Sequence, residues 1–475
     1  MRMVRGAGRT VVVVIGILAL WLSGGSPAHA VPVAPVPLTG LGPTGTSLMH
    51  GDLWSTDSTP WRGPGRTGHV VASSVPGGAC AATFIGSDGL PVSLCTRFVG
   101  TKPVGFAVPS VTLFDPHTAA PLAHLELAKG GLLGGVYGYL DDRNRVVVAD
   151  GSNSILRVAH RRIAQGWQVY VDDRIDVSST IPAGDAITGL APDLQGRIWF
   201  ATTRGVVGTV GRSGRVAATA LPRGEQLGNG LSIRAGGASI LTTHALYEMT
   251  AGADGRPRVV WRRAYDRGTA RKPGQLTWGS GTTPTYFGPD GDRWVAIVDN
   301  ADGKPNLLVY QSDTGNVVCR MPAFGSSGQG TENSIIAWGD SLVIPSTYGY
   351  QYPPMAVDGP SKPGSAGFVG GATRVDVTAG GCHRVWENRD RIATLPRLSR
   401  ADGLIYALGY GPYRPGIQQV GPIYLVATDF ATGLRVVTRK VGDGPIDEPL
   451  ELTGTISRDG ALWQATIGRM LKIAR

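Results

Sequence analysis

The chain has 475 residues, of which 70 are glycine and 33 are proline, and its formal net charge is +10. Glycine at this level without a collagen-like period indicates a chain rich in turns, and an apolar fraction of 42% supplies a packed core, which excludes a disordered protein. The basic residues are spread thinly, with the densest stretches at 160–162 and 262–272. Because nucleic-acid-binding proteins concentrate basic residues on one surface, nucleic-acid binding is excluded as well.

The first 30 residues have the pattern of a secretory signal peptide. Arginines at positions 2, 5 and 9 precede an apolar stretch at 11–22, and Ala-His-Ala at 28–30 is typical of a cleavage site. The apolar stretch is shorter than the roughly 20 residues that span a bilayer as a helix. We therefore predict a secreted, extracellular chain with no membrane span, and the alternative is a retained membrane anchor. Removal of the three arginines lowers the net charge to +7.

Four cysteines lie beyond this segment: Cys80, Cys95, Cys319 and Cys382. An even number in an exported chain indicates disulfide bonds, and four cysteines allow three pairings. The local pairing, Cys80 with Cys95 and Cys319 with Cys382, is the one we favour, and each bond would stabilise the fold by about 3 to 4 kcal/mol. The sequence contains no CxxC, CxxCH or HExxH motif, so zinc, haem and thiol-redox chemistry have no support in it.

One hairpin pattern occurs three times along the chain. The three copies are VTLFDPHTAAPLAHLEL at 111–127, LLVYQSDTGNVVCRMPAFG at 307–325 and YLVATDFATGLRVVTRKVGDG at 424–444. Each is an apolar strand, a turn with Asp and Thr, and a second apolar strand. The Asp side chain caps the turn, and where Gly follows Thr it supplies the positive φ of a hairpin.

A second motif, a strand followed by a polar turn and a short apolar strand, recurs eight times. The turn residues are at positions 89, 144, 196, 237, 291, 339, 403 and 460. A repeat of about 40 to 60 residues with four strands per unit is typical of a β-propeller. One four-stranded sheet cannot bury both faces alone, so the sheets stack radially, and closing the ring removes open edges.

We predict an all-β fold, a single β-propeller of eight blades, with three segments in the chain. These are a signal peptide at 1–30, an N-terminal extension at 31–75 and the propeller at 76–475. Seven blades result if the segment 86–94 is a false copy of the motif. The alternative fold is a pair of β-sandwiches, which do not repeat their turn chemistry at a fixed interval.

The hairpins at 307–320 and 424–439 resemble the outer hairpins of quinoprotein-like propellers, which include pyrroloquinoline-quinone dehydrogenases and related scaffold propellers without a cofactor. The segment APDLQGRIWFATT at 191–203 is similar to gluconolactonase-like and strictosidine-synthase-like propellers. The resemblance covers most of the mature chain as a style of repeat. Quinone dehydrogenases of this kind hold their cofactor on a disulfide between adjacent cysteines, and this sequence has no Cys-Cys pair.

Propeller topology places residues that precede the inner strands at one opening of the central channel. Five such residues carry side-chain oxygen, the ligand that Ca²⁺ prefers, so we predict Ca²⁺ as the one candidate cofactor. The alternative is that they are solvated loop residues or turn caps. The five are Asp185, Asn229, Glu332, Asn333 and Glu451, which precede four inner strands, and Arg397 precedes a fifth.

Loops that return to the same face carry a group of tyrosines, which give large contact areas with a polar tip. The group comprises Tyr348, Tyr350, Tyr352, Tyr410 and Tyr413. We predict a ligand-binding set of Glu332, Asn333, Arg397, Tyr348, Tyr350 and Tyr410. The alternative is that the tyrosines pack against the Pro/Gly/Ser-rich insert at 351–370.

Catalytic motifs are scarce, because the sequence has no G-x-S-x-G and no P-loop, and His244 is the one histidine at the end of a predicted second strand. We therefore predict a secreted, monomeric propeller that binds a small molecule, a glycan or a protein over the channel opening. The alternative is a Ca²⁺-dependent hydrolase of the lactonase or esterase type, and a quinone oxidoreductase ranks third.

Overall fold

The computed structural model describes residues 40–66, 68–75, 78–99, 105–130, 137–325, 329–412 and 421–475. The predicted signal peptide and Tyr413 lie outside these ranges. The described residues form eight sheets, seven of four strands and one of five. Helical structure among them is limited to two short 3₁₀ turns, Ser178–Thr180 and Pro354–Ala356, and none of it is long and apolar enough to cross a membrane.

The strands run in chain order, two before the first blade and then four per blade until the last blade. Strands β1 and β2 are Ser58–Thr59 and His69–Ser74. Blade 1 contains β3 Gly78–Ile85, β4 Pro91–Val99, β5 Gly105–Phe114 and β6 Pro121–Glu126. Blade 2 contains β7 Gly138–Leu140, β8 Val146–Ala149, β9 Ser154–Ile163 and β10 Gly166–Asp176. Blade 3 contains β11 Ile187–Pro192, β12 Ile198–Thr202, β13 Val206–Val210 and β14 Val216–Ala220. Blade 4 contains β15 Ser232–Arg234, β16 Gly237–Leu241, β17 Ala245–Ala251 and β18 Pro257–Ala264.

The second half of the ring repeats this arrangement. Blade 5 contains β19 Thr285–Phe287, β20 Trp294–Val298, β21 Asn306–Gln311 and β22 Val317–Pro322. Blade 6 contains β23 Ile336–Trp338, β24 Ser341–Pro345, β25 Ala372–Thr378 and β26 Gly381–Asn388. Blade 7 contains β27 Arg397–Ser399, β28 Leu404–Gly409, β29 Pro422–Asp429 and β30 Arg435–Asp443. Blade 8 contains β31 Thr455–Ile456, β32 Leu462–Ala465 and β33 Arg469–Ala474, with β2 as its fourth strand.

The eight blades confirm the predicted propeller and its blade number. Each of the eight turn positions lies at the junction of the first and second strand of a blade. The backbone explains the turn chemistry, since seven of the eight have positive φ, including the one non-glycine, Asn144, at +59°. Asparagine tolerates this left-handed conformation better than most residues with a side chain.

The outer hairpins show why glycine follows threonine in two of the three copies. Gly315 and Gly433 have φ of +66° and +71°. Each also lies under a tryptophan of the preceding blade: a Cβ on Gly315 would be 2.7 Å from the Trp261 ring, and one on Gly433 would be 2.5 Å from the Trp386 ring. Glycine is therefore required both by the turn and by the docking of the neighbouring blade.

The ring closes by joining the two ends of the chain. Strand β2 pairs antiparallel with β33, from His69 opposite Ala474 to Ser74 opposite Arg469. Strand β1 adds to the inner edge of blade 7 in parallel with β27. Residues predicted as an extension before the propeller, 31–75, thus supply two of its strands.

Residues 40–61, which we call the channel segment, line the inside of the ring. Their backbone is hydrogen-bonded to the inner strands in the order of the blades, which shows that the segment runs around the channel. The contacts are Thr46 to Ile85, Ser47 to Leu140, Leu53 to Ile233, Trp54 to Tyr286, Thr56 to Ala337 and Asp57 to Leu398, each at 2.7–3.0 Å. The channel is therefore occupied by the chain itself.

Apolar side chains between neighbouring blades form the core. Between blades 5 and 6, for example, Phe287, Leu307, Phe324 and Leu342 are at most 2% exposed and pack in one cluster. Burying a side chain of this size contributes about 1.5–3 kcal/mol. The outer strands are less buried, so the stability of the ring comes mainly from the three inner strands of each blade.

Both disulfides form in the predicted pairing. Cys80 and Cys95 face each other across β3 and β4 within blade 1. Cys319 and Cys382 join the outer strands of blades 5 and 6, with their Cα atoms 5.8 Å apart. The second bond is thus a covalent link between two neighbouring blades.

Replacing both cysteines of a disulfide by serine is expected to lower the free energy of unfolding more for Cys319–Cys382 than for Cys80–Cys95. The bonds close segments with sequence separations of 63 and 15, for which chain entropy gives about 4 and about 3 kcal/mol. Denaturant unfolding of the two double variants would measure the difference. Equal or reversed losses would contradict the expectation.

Candidate functional site

Four partly exposed side chains surround the channel opening on the face that carries the loops before the inner strands. We call Tyr137, Glu332, Tyr352 and Glu451 the mouth cluster. Three of them precede the inner strands of blades 2, 6 and 8, and Tyr352 is on the loop after β24. Burial raises the pKa of the Tyr352 phenol, and Glu451, Glu332 and Tyr137 raise it further, so these three groups lie within electrostatic range of Tyr352. The topology therefore gathers residues separated by more than 300 positions.

Glu332 is held at the edge of this opening by the long loop between β18 and β19. Its Oε2 accepts a hydrogen bond of 3.1 Å from the Leu276 N–H, and its own N–H donates to Thr347 Oγ1 at 2.8 Å. Burial raises the pKa of the Glu332 carboxyl to about 8, although the Leu276 N–H and the Arg271 charge act in the opposite direction. This carboxyl is therefore mostly protonated at neutral pH.

Glu451 lies across the opening and is linked to the neighbour of Glu332. Asn333 Nδ2 donates to Glu451 Oε2 at 3.0 Å. The other carboxyl oxygen, Oε1, is buried without a hydrogen-bond partner among the described residues. Burial raises the pKa of the Glu451 carboxyl well above its ordinary value, which favours the protonated form. An unpaired polar atom inside a protein is costly, and a ligand group would relieve that cost.

Two of the predicted tyrosines, Tyr350 and Tyr410, support the cluster from below. They are 2% and 3% exposed, and both hydroxyls donate to Glu448 Oε1. Both rings also contact Phe368 of the insert at 351–370, with centroids 5.5 and 6.0 Å away. Their contacts therefore match the alternative stated for them, packing against the insert. Tyr348 is partly exposed.

Arg397 lies below the opening and binds the channel segment. It is 1% exposed, and its guanidinium donates to Asp57 Oδ1 at 3.1 Å and to the Met49 carbonyl at 2.6 Å. Asp57 also accepts from Ser334 Oγ at 2.7 Å and from His50 Nδ1 at 3.2 Å. Each of these contacts is made within the chain, so Arg397 anchors the channel segment.

Asp185 and Asn229 precede inner strands, and each is hydrogen-bonded to another loop, Asp185 within its own blade and Asn229 to the loop before the next blade. Asp185 Oδ2 accepts from Thr202 Oγ1 and Oδ1 accepts from the Arg204 N–H, which makes it a turn cap in blade 3. Asn229 Nδ2 donates to the Ser280 carbonyl at 3.2 Å. The structure thus brings Glu332, Asn333 and Glu451 together, whereas the side-chain contacts of Asp185 and Asn229 are with residues outside this group.

The five predicted metal ligands do not converge on one point. Within the described ranges, no group of three or more His, Cys, Asp or Glu side chains is arranged to hold a metal ion. A quinone does not fit either, because both disulfides join cysteines far apart in sequence and the channel segment fills the ring. We therefore derive no reaction step through either group.

A small cavity lies beneath the mouth cluster, between the channel segment and blades 2 to 4. Its volume is about 30 Å³, and His50, Asp52, Ser55 and Tyr137 are among its lining residues. This space is large enough for about one water molecule, and the lining supplies polar partners for it. This cavity is therefore too small for a ligand of ordinary size.

Sequence reasoning did not identify Tyr137, His50 or Asp57. Tyr137 precedes the inner strand of blade 2, so the rule that selected Glu332 could have found it. It hydrogen-bonds to Thr283 and to the backbone of Gly230. His50 and Asp57 lie in a segment without periodic pattern, and no local signal places them in the channel.

The fold and this opening define an eight-bladed β-propeller with a closed channel and a shallow site of tyrosine and carboxyl groups. No known family model matches the sequence. An uncharacterized protein of Archaeoglobus fulgidus is 28% identical over 176 residues, which cover 36% of this chain and 32% of that protein. The match thus spans about a third of the length of that curated relative.

Solved structures extend the likeness over most of the ring. A europium-containing methanol dehydrogenase matches with a TM-score of 0.52 and 11% identity, over 90% of this chain and 98% of that one. The Dos1 propeller matches with a TM-score of 0.50 and 10% identity, over 87% and 94%. At these identities the likeness is one of fold alone. It supports the β-propeller fold and adds nothing to the resemblance to gluconolactonases.

Proposed function

We propose that the protein is a secreted, monomeric binding propeller that takes a hydroxyl-rich ligand, a glycan, at the mouth cluster. One observation carries the proposal: burial raises the pKa of two glutamate carboxyls beside a partly exposed tyrosine, and one of their oxygens is buried without a partner among the described residues. A neutral carboxyl both donates and accepts hydrogen bonds, as sugar hydroxyls do. The tyrosine rings add surfaces on which a sugar ring can pack.

Export is supported by the two disulfides, which persist in oxidising compartments. Mass spectrometry of protein recovered from the culture medium would check it, with an N-terminus at Val31 and no free thiols expected. Size-exclusion chromatography with light scattering should give the mass of one chain. A retained signal peptide or a cell-bound protein would contradict the proposed secretion and would leave the proposed binding function untouched.

Glu332→Gln and Glu332→Ala are expected to separate a hydroxylated ligand from a cation. Glutamine keeps the donor and acceptor groups of a protonated carboxyl, so glycan binding should stay within about threefold of wild type. Alanine removes them and should weaken binding at least about tenfold, or about 1.4 kcal/mol. The measurement is a screen on an oligosaccharide array followed by calorimetric titration of the tightest ligand.

Asp340→Asn is the matched control, because Asp340 is an exposed carboxyl in blade 6 that lies at the turn on the opposite face. Its binding should equal that of wild type. The proposal is wrong if no oligosaccharide binds above background, or if Glu332→Ala binds as tightly as wild type.

The competing function is a Ca²⁺-dependent hydrolase of the lactonase or esterase type, related to gluconolactonase-like propellers. The observation in its favour is the unpartnered Glu451 Oε1, an oxygen that a hard cation could take up. A cation requires a charged carboxylate, so Glu332→Gln would abolish its binding. Calcium titration of wild type and Glu332→Gln, after dialysis against chelator, decides between the two functions. Only the hydrolase predicts that wild type binds calcium and that Glu332→Gln does not.

A further inference from the structure

The basic stretch at 262–272 includes an arginine that is held in place without a carboxylate. The Arg267 guanidinium lies over the Trp278 ring, 3.8 Å from its centroid. Arg267 Nη1 donates to His244 Nε2 at 2.6 Å. No ion pair of Arg267 is found with any residue that the structure describes, and its Nε is buried without a partner there.

The backbone beneath this group is fixed, so the side chain needs little ordering when a ligand binds. The Arg267 carbonyl accepts from Trp278 Nε1 at 2.9 Å and from Asn300 Nδ2 at 2.8 Å. His244 Nδ1 is hydrogen-bonded to Thr243 Oγ1 at 2.9 Å. Because Nε2 accepts from an arginine, His244 is neutral in this arrangement, and the positive charge stays on Arg267.

Nearby acids are engaged elsewhere. Glu225 accepts from Arg262 Nη2 at 2.7 Å and from the hydroxyls of Thr242 and Tyr247. Asp266 Oδ1 accepts from the Gly268 N–H at 2.9 Å. Neither carboxylate is bonded to Arg267, whose side chain is partly exposed.

The arginine is on the same loop that contacts Glu332 of the mouth cluster. Leu276, whose N–H donates to Glu332, is two residues before Trp278. Trp278 is 38% exposed, a high value for so large an apolar side chain. Arg267 on Trp278 thus offers a planar cation beside an aromatic surface, an arrangement suited to oxyanions on a ring-shaped ligand.

We propose that Arg267, stacked on Trp278 and held by His244, binds the oxyanion of the ligand, a carboxylate or sulfate, so that the glycan bound at the mouth is an acidic one. The identity of the sugar part rests on the proposed function; the anion site does not. No bond is made or broken in this step, which is binding alone. The chemistry recognised is a planar or tetrahedral oxyanion that accepts a hydrogen bond from the guanidinium and is attracted by its charge.

Inorganic sulfate tests the anion site without any sugar. Sulfate should shift the Trp278 indole resonance of ¹⁵N-tryptophan-labelled protein saturably, the resonance being assigned with Trp278→Phe. Arg267→Gln should lose the shift, whereas Arg258→Gln, which changes an exposed arginine on the outer strand of the same blade, should keep it. An unchanged Trp278 resonance, or a shift that persists in Arg267→Gln, overturns the proposal.

Matched sugars test the acidic character of the glycan. Uronic-acid oligosaccharides should bind wild type at least about tenfold more tightly than their carboxyl-reduced counterparts, and Arg267→Gln should bind both forms equally. Equal binding by wild type refutes the acidic glycan while the proposed function stands. If no sugar binds but sulfate still shifts Trp278, the proposed function fails and the anion site stands.

Discussion

Asp57→Ala is expected to destabilise the protein by about 3–5 kcal/mol, because it leaves a buried cation without its partner. Arg397 is 1% exposed, and Asp57 is its one carboxylate partner among the described residues. The substitution also leaves Ser334 Oγ and His50 Nδ1 without the acceptor they share. Denaturant unfolding, or the thermal midpoint where unfolding is irreversible, would measure the loss.

Asp302→Ala is the control, since Asp302 is exposed and lies outside the channel. It should change the stability by less than about 1 kcal/mol. If Asp57→Ala does not fold, Asp57→Asn keeps the shape and most hydrogen bonds and should lose less. A loss for Asp57→Ala as small as that of the control would show that the buried pair does not hold the channel segment.

A double-mutant cycle separates the ion pair from the rest of the network. Arg397→Met removes the cation and also the hydrogen bonds that the guanidinium donates to the carbonyls of Met49 and Gly454. Combining Arg397→Met with Asp57→Leu removes both charges. The double variant should therefore lose less stability than the sum of the losses of the two single variants. Interaction energies in such networks are about 0.5–3 kcal/mol. Additive losses would place the stabilisation in the neutral hydrogen bonds.

The propeller was predictable because its blades repeat local chemistry. A turn needs a residue that tolerates positive φ, and glycine or asparagine stands at each such position, as Gly89 and Asn144 illustrate. The outer hairpins carry a second local signal, since Gly315 satisfies both the turn and the docking of Trp261. Counting such turns gave the blade number, and sequence proximity with export gave the disulfide pairing.

The channel segment was not predictable by the same reasoning. Its backbone partners lie on six different blades, and Asp57 meets Arg397 across 340 positions. A segment that pairs with one short strand after another needs no periodicity of its own, so neither a strand nor a helix pattern reveals it. Ring closure by β2 and β33 was hidden for the same reason.

Topology was a partial guide to the candidate site. It identified the face on which Glu332, Asn333 and Glu451 lie together, because the start of each inner strand is fixed by the ring. It could not tell which side chains there are accessible. Tyr350 and Tyr410 turn inward to Glu448, since the loop that carries Tyr350 folds against the insert. Accessibility of this kind depends on loop packing, which no repeat encodes.

Glu332→Gln is expected to become more stable relative to wild type as the pH rises from about 5 to 9. The pKa of Glu332 is about 8 in the folded protein against an ordinary 4.5. Below pH 4.5 the carboxyl is protonated in both the folded and the unfolded wild type. Between pH 4.5 and 8 the unfolded chain releases the proton and the folded protein keeps it. The free energy of unfolding of wild type therefore falls as the pH rises. The full difference is at most about 5 kcal/mol, at roughly 1.4 kcal/mol per unit, and solvent contact at the mouth reduces it.

Thermal midpoints of both proteins across this range provide the measurement. Glutamine does not titrate, so the variant does not lose this part of its stability as the pH rises. The raised pKa values of Glu448 and Glu451 affect both proteins equally. Asp302→Asn is the control, because the Thr269 N–H lowers the pKa of Asp302 and its difference from wild type should stay constant above pH 5. A constant difference for Glu332→Gln as well would mean that Glu332 is ionised in the folded protein. The mouth would then present a carboxylate at neutral pH and favour a cation over a sugar hydroxyl.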